Sequence, residues 1–156
     1  MKSIIIDLHS ELLGLSDEEW KKSSQRYFKE SVEFIGVKGK EVQRLDREYY
    51  SNIKDRGKEF VFSLCEELWQ SPYFEENIIA CNWAYNQKRA FLPEDIALFE
   101  RWLDKYVTNW ATCDTLCNHT DYSCPQRALP GRNFRNCFYS PSRPRRHGTE
   151  GIRVDA

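Results

Sequence analysis

A chain of 156 residues with 40% hydrophobic and 14% aromatic content can build one core, and its formal net charge of −1 marks it as neither strongly acidic nor strongly basic. No apolar run approaches the roughly 20 residues that cross a bilayer, and Asp7, His9 and Glu11 interrupt the N-terminal isoleucine run, so neither an anchor nor a signal peptide is expected. A soluble intracellular protein is the expectation.

Ser3–Leu13 carries Ile4, Ile5, Leu8 and Leu12 at helical spacing, and Gly14 can end it. Ser16, Asp17, Glu18 and Glu19 read as a capping box, with Leu15 and Trp20 as its staple and Trp20, Tyr27 and Phe28 as the apolar stripe of the helix that follows. Residues 34–40 break the period between glycines, then Val42, Leu45, Tyr49 and Ile53 resume it. A fourth helix runs from Phe60 to Trp69 and stops before Pro72, because the residue preceding a proline disfavours helical dihedrals. Tyr73–Phe91 forms a fifth, and Pro93 at a first helical position starts a sixth through Tyr106. A break at Thr108 and Asn109 leads into a seventh, which places Trp110 and Asp114 on one face. The expectation is an all-α protein of sequential antiparallel helix pairs, closer to stacked α-hairpin repeats than to a symmetric bundle.

Charge and composition divide the chain after His119. Residues 1–119 hold 16 Lys and Arg against 21 acids, a net −5, whereas residues 120–156 hold seven arginines against three acids, a net +4. The tail has no stripe to bury and carries several prolines, so it is expected to be disordered: either an arginine-rich arm able to bind nucleic acid or a non-native sequence produced by a frame change. The domain expectation is therefore a helical domain at 1–119 and a separate tail at 120–156.

The six cysteines follow no export signal, and two lie in predicted helix interiors, so reduced thiols are expected rather than a disulfide framework. Cys113, Cys117, His119 and Cys124 match no common zinc spacing, and no metal or other cofactor is implied. Trp110 with Asp114 is the one pairing that suggests chemistry, an aromatic wall beside a carboxylate. A helical tryptophan is ordinarily core and an aspartate ordinarily surface, so composition leaves a functional site and a packed scaffold both open.

Three stretches resemble the DNA alkylation repair family typified by the AlkD-type alkylpurine DNA glycosylases. The first is Arg26, Tyr27, Phe28 and Lys29 followed by Phe34, Ile35, Gly36, Val37 and then Arg44. The second is Glu67, Leu68 and Trp69 followed by Pro72 and Glu75. The third is Trp110 followed four residues on by Asp114. The likeness covers residues 2–119, every predicted helix. It implies a right-handed superhelical stack of HEAT-like helix pairs whose basic concave face holds duplex DNA containing alkylated bases. Trp110 and Asp114 would be catalytic in excising N3- or N7-alkylated purines, Tyr27 would lie on the DNA-facing surface and Lys38 near the lesion. Arg26, Lys29, Lys40, Arg44 and Arg47 are candidate phosphate contacts. The resemblance also carries a cytoplasmic, nucleoid-associated location.

The chain departs from that pattern in three ways. The family's later cleft arginine and second wall tryptophan have no counterpart, since no tryptophan follows His119. Gly39 and Lys40 stand where the family commonly has a proline. The resemblance thus implies a C-terminally shortened member whose last helix exposes an apolar face suited to self-association. A non-catalytic DNA-binding module and a protein-interaction scaffold stay open beside the glycosylase.

Overall fold

The computed structural model describes residues 2–123, and the predicted tail, with Cys124 and Cys137, lies outside the described residues apart from the end of the last helix. The described part is all-α: α1 (Lys2–Gly14), α2 (Glu18–Gln25), α3 (Gly39–Ser51), α4 (Lys58–Gln70), α5 (Phe74–Asn86), a 3-10 turn (Lys88–Ala90), α6 (Asp95–Lys105) and α7 (Trp110–Ser123). Among the described residues there is no strand, only an isolated parallel bridge between Glu33 and Tyr73. No described helix is long and apolar enough to cross a membrane.

Helix α5 occupies the middle, packed on α4, α7 and α3, while α6 leans on α7 and α1 on α3 and α4. Its seam is apolar because Ile79, Ala80, Cys81, Trp83 and Ala84 are all buried. Across α4 and α6, Phe62 meets Phe99 and Trp102 edge-on at centroid separations of 5.7 and 5.8 Å, and Trp69 lies against Trp102 and stacks with Tyr106. Edge-to-face contacts of this kind add to the burial of large rings.

Three local expectations are corrected. Helix α2 is capped by Asp17, not Ser16: the Asp17 carboxylate accepts from the Glu19 and Trp20 amides at 2.9 and 3.1 Å. A carboxylate at that position also sits favourably at the helix's positive end. The expected stripe of α2 does not exist. The helix buries none of its residues, and it ends at Gln25, so Tyr27 falls in the following turn and is 79% exposed. Trp20 occupies the third helical position and is likewise exposed, not stapled. Finally, α5 ends at Asn86, before the 3-10 turn, and α6 starts at Asp95 rather than at Pro93.

One side chain fixes the entry of α6. Asp95 Oδ2 accepts from the Leu92 amide at 2.7 Å and from the buried Lys58 ammonium at 2.9 Å, and Lys58 also donates to the Ala90 carbonyl at 3.0 Å. A buried ammonium needs such partners, so the first turn of α4 is locked to the entry of α6.

Cys65, Cys81, Cys113 and Cys117 are buried and form no disulfide with one another, and burial pushes the thiols of Cys65 and Cys81 upward in pKa, which keeps both protonated.

Glu66 joins α4 to α6, accepting from Trp102 Nε1 and, at 3.0 Å, from the Tyr106 hydroxyl, with Arg101 at 3.2 Å. Burial alone would raise its pKa, yet these three donors prevail and hold it below its ordinary value. A depressed acid adds stability that is present above its unfolded-state pKa and lost as pH falls through the folded-state value. Replacing Glu66 with Gln should therefore lower the melting midpoint at pH 7 by about 3–5 °C. The gap between the two proteins should close as the pH is taken below 4.5, the group's ordinary value. Thermal scans across acid pH check this.

Candidate DNA-facing site

The start of α7 is set by Asn109, whose side-chain oxygen accepts from the Thr112 amide at 2.9 Å, and this cap places the expected break just before Trp110. Once α7 begins there, Thr112, Cys113, Leu116 and Cys117 turn inward, and Trp110 is left on the outside at 43% exposure. Asp114 is half-buried one turn further along the same helix. A tryptophan so exposed is not core packing.

What supports the indole is an aromatic cluster from two distant segments. Phe28 stacks on Trp110 with ring centroids 5.5 Å apart and planes inclined by 25°. Phe28 in turn meets Phe34 and Phe74 at 5.5 and 5.6 Å, and those two rings lie 5.0 Å apart. The chain neighbours of Phe28, Tyr27 and Lys29, are both exposed.

The loop bearing Phe28 is pinned from below by Glu75, buried in the first turn of α5. Its Oε1 accepts from the Gly36 and Val37 amides at 3.0 and 3.2 Å, and its Oε2 from the Ile35 amide at 3.0 Å. Gly36 has φ +93°, and its carbonyl accepts from the Asp17 amide at 2.8 Å. A side chain there would meet both Asp17 O and Lys21 Cβ at 2.8 Å. Glycine is thus required twice, for the dihedral and for the approach of α2. The Phe74 amide donates to the Glu33 carbonyl at 2.9 Å and secures the loop's other side. All three stretches that carry the family resemblance converge here, through Phe28 and residues 34–37, Glu75, and Trp110.

Electrostatics distinguish the same segment. Residues 20–40 hold six Lys and Arg (Lys21, Lys22, Arg26, Lys29, Lys38 and Lys40) against Glu30 and Glu33, a local +4, while the rest of residues 1–119 sums to −9. Arg26, Lys29, Lys38 and Lys40 are exposed. Arg44 and Arg47 are also exposed on α3, but Arg44 is engaged by Glu41 at 2.9 Å and Glu48 at 3.2 Å, which partly neutralises it as a phosphate ligand. Among the described residues no three or more His, Cys, Asp or Glu side chains gather into a group able to hold a metal ion.

The sequence pointed to Trp110, Asp114 and Tyr27 but assigned no role to Phe34, Phe74, Glu75 or Gly36. Glu75 was visible only as the last residue of a motif, since a carboxylate that caps a loop some 40 positions away leaves no local pattern.

Comparison with curated proteins and with solved structures found no match. The family model described as DNA alkylation repair enzyme matches residues 8–123, which takes in α2 to α7 whole and the second half of α1. The chain belongs to the DNA alkylation repair enzyme family.

Proposed function

We propose that this chain hydrolyses the N-glycosidic bond of N3- or N7-alkylated purines in duplex DNA. The observation that carries this reading is an exposed indole propped by Phe28, with Asp114 one turn beyond it, beside the basic segment of an otherwise acidic helical domain. An alkylated purine is already cationic and leaves as a neutral base, so the protein need not protonate it. It must stabilise the oxocarbenium-like sugar and direct a water at C1′. The Asp114 carboxylate serves both needs, opposing the positive charge and receiving the proton of the attacking water. The Trp110 face presents negative quadrupole to the cation and displaces solvent from the carboxylate. A wall of this kind suits a lesion that need not enter a deep base pocket. The reaction asks for no metal and no other cofactor.

In this reading the helices wind as a right-handed HEAT-like stack whose concave side carries the Trp110 cluster, and Tyr27, Lys29, Lys38 and Lys40 meet the DNA there. The protein then acts on DNA in the cytoplasm. Backbone contacts make binding salt-dependent, with log K falling by about 0.9 per phosphate contact for each decade of salt. Replacing Lys40 with Ala should lower that slope by about one without changing lesion preference. An unchanged slope, measured by fluorescence anisotropy across a salt series, would remove Lys40 from the interface.

The test of the reaction itself is release of free 7-methylguanine from methylated duplex by the full chain and by Asp114→Asn. Duplex binding without release would favour the non-catalytic module, and absence of binding at low salt would favour a protein scaffold.

A further inference from the structure

We propose that Glu75 is a positioning residue for the reaction, setting the height of the Tyr27–Lys38 loop over the Trp110 ring; this inference rests on the glycosylase reading above. Three observations lead to it. Glu75 is 4% exposed, yet among the described residues its carboxylate has no charged partner and spends its acceptors on the consecutive amides of Ile35, Gly36 and Val37. Those amides belong to no helix, and a carboxylate is a stronger acceptor for them than water or a neutral amide. The hydrogen bonds also continue past Glu75: the Gly36 carbonyl takes the Asp17 amide at 2.8 Å, so one side chain of α5 fixes both the loop and the cap of α2.

The consequence follows from α2 burying no residue of its own. The buried Val32, Phe34, Ile35 and Val37 and the Phe74 to Glu33 bond seat one side of residues 26–38, and the Glu75 to Gly36 to Asp17 connection and the Phe28 stack join that segment to α2 and to the indole. Because α5 also packs directly on α7, Glu75 refers the loop to the helix that carries Trp110 and Asp114. Glu75 touches no substrate. Its part is to keep Tyr27 and Lys29 in register with the indole, and a misplacement of about 1 Å at such a distance can cost on the order of a hundredfold in rate.

The test compares the full-length wild type, Glu75→Gln and Val61→Ala, the last a core truncation in α4 that lowers stability without touching the loop. Amide hydrogen exchange is followed at Ile35, Gly36 and Val37 and at Leu64 and Ile79, and single-turnover release of 7-methylguanine is measured from a duplex with one lesion. Glutamine keeps one acceptor oxygen and turns an amino group toward a donor. Exchange at 35–37 should therefore rise at least about tenfold while Leu64 and Ile79 stay protected. Release should fall roughly ten- to hundredfold in Glu75→Gln and by less than about threefold in Val61→Ala at a temperature where both remain folded. Freed loop amides with undiminished release would overturn the inference alone, as would equal losses in the two variants. If Glu75→Gln fails to fold, Glu75→Asp, which shortens the reach but keeps the charge, takes its place under the same criteria. No release by the wild type would overturn the glycosylase reading and this inference together.

Discussion

Asp114→Asn should reduce single-turnover release of 7-methylguanine on the order of a hundred- to a thousandfold, the range typical for deleting one preorganised electrostatic stabiliser. The asparagine is nearly isosteric but has no charge to set against the oxocarbenium-like sugar and no basic oxygen to take the water's proton. Asp114 is half-buried and lies on the outer part of α7, away from Cys113, Leu116 and Cys117, which face the core, so the fold should survive the change. Duplex affinity should hold within about twofold or improve slightly, since a negative charge is removed from the DNA side. Equal release by the two proteins would take the carboxylate out of the chemistry. A parallel loss of binding and release would show instead that Asp114 serves the architecture of α7.

Gly36→Ala should be the most destabilising single-methyl change in the described chain, at about 2–4 kcal/mol. At φ +93° any side chain incurs strain on the order of 1–2 kcal/mol. The new Cβ would also sit 2.8 Å from both the Asp17 carbonyl oxygen and Lys21 Cβ. One is backbone and the other the root of a side chain, so neither can swing aside, and α2 must move off the loop. Urea unfolding at neutral pH reads the cost. A loss below about 1 kcal/mol would mean that α2 gives way freely and that the Gly36 contact is not what places it. Gly57→Ala provides a contrast, for it shares the positive φ but has open space around its Cβ, so only the dihedral strain should be seen.

How much of this was legible beforehand depended on the range of the interaction. Helices α1, α3, α4 and α7 are announced by apolar spacing and by local breakers such as Gly14, Pro72 and Asn109, and their signal lies within a few residues. Helix α2 misled for an equally local reason. Trp20, Tyr27 and Phe28 have the spacing of a stripe, but the helix stops at Gln25 and only Phe28 turns toward other rings. Apolar spacing does not by itself mark where a helix ends. At the site, Trp110 and Asp114 were visible as a pair within one turn, whereas the stack of Phe28 on Trp110 and the grip of Glu75 on residues 35–37 join positions 38 to 82 apart. Such contacts exist only once the chain is folded. The concentration of basic charge in residues 20–40 was countable from the start, but it gained meaning only when Phe28 was found to carry that segment to the indole.

The propped indole and the acid beyond it are proposed to form a centre for breaking a glycosidic bond in duplex DNA. This is tested most directly by chromatographic assay of free base after incubating the full chain with duplex containing a single N7-methylguanine. Release well above the spontaneous rate, lost in Asp114→Asn while the duplex is still bound, is the predicted result. Binding of the duplex with no base released above background would contradict it.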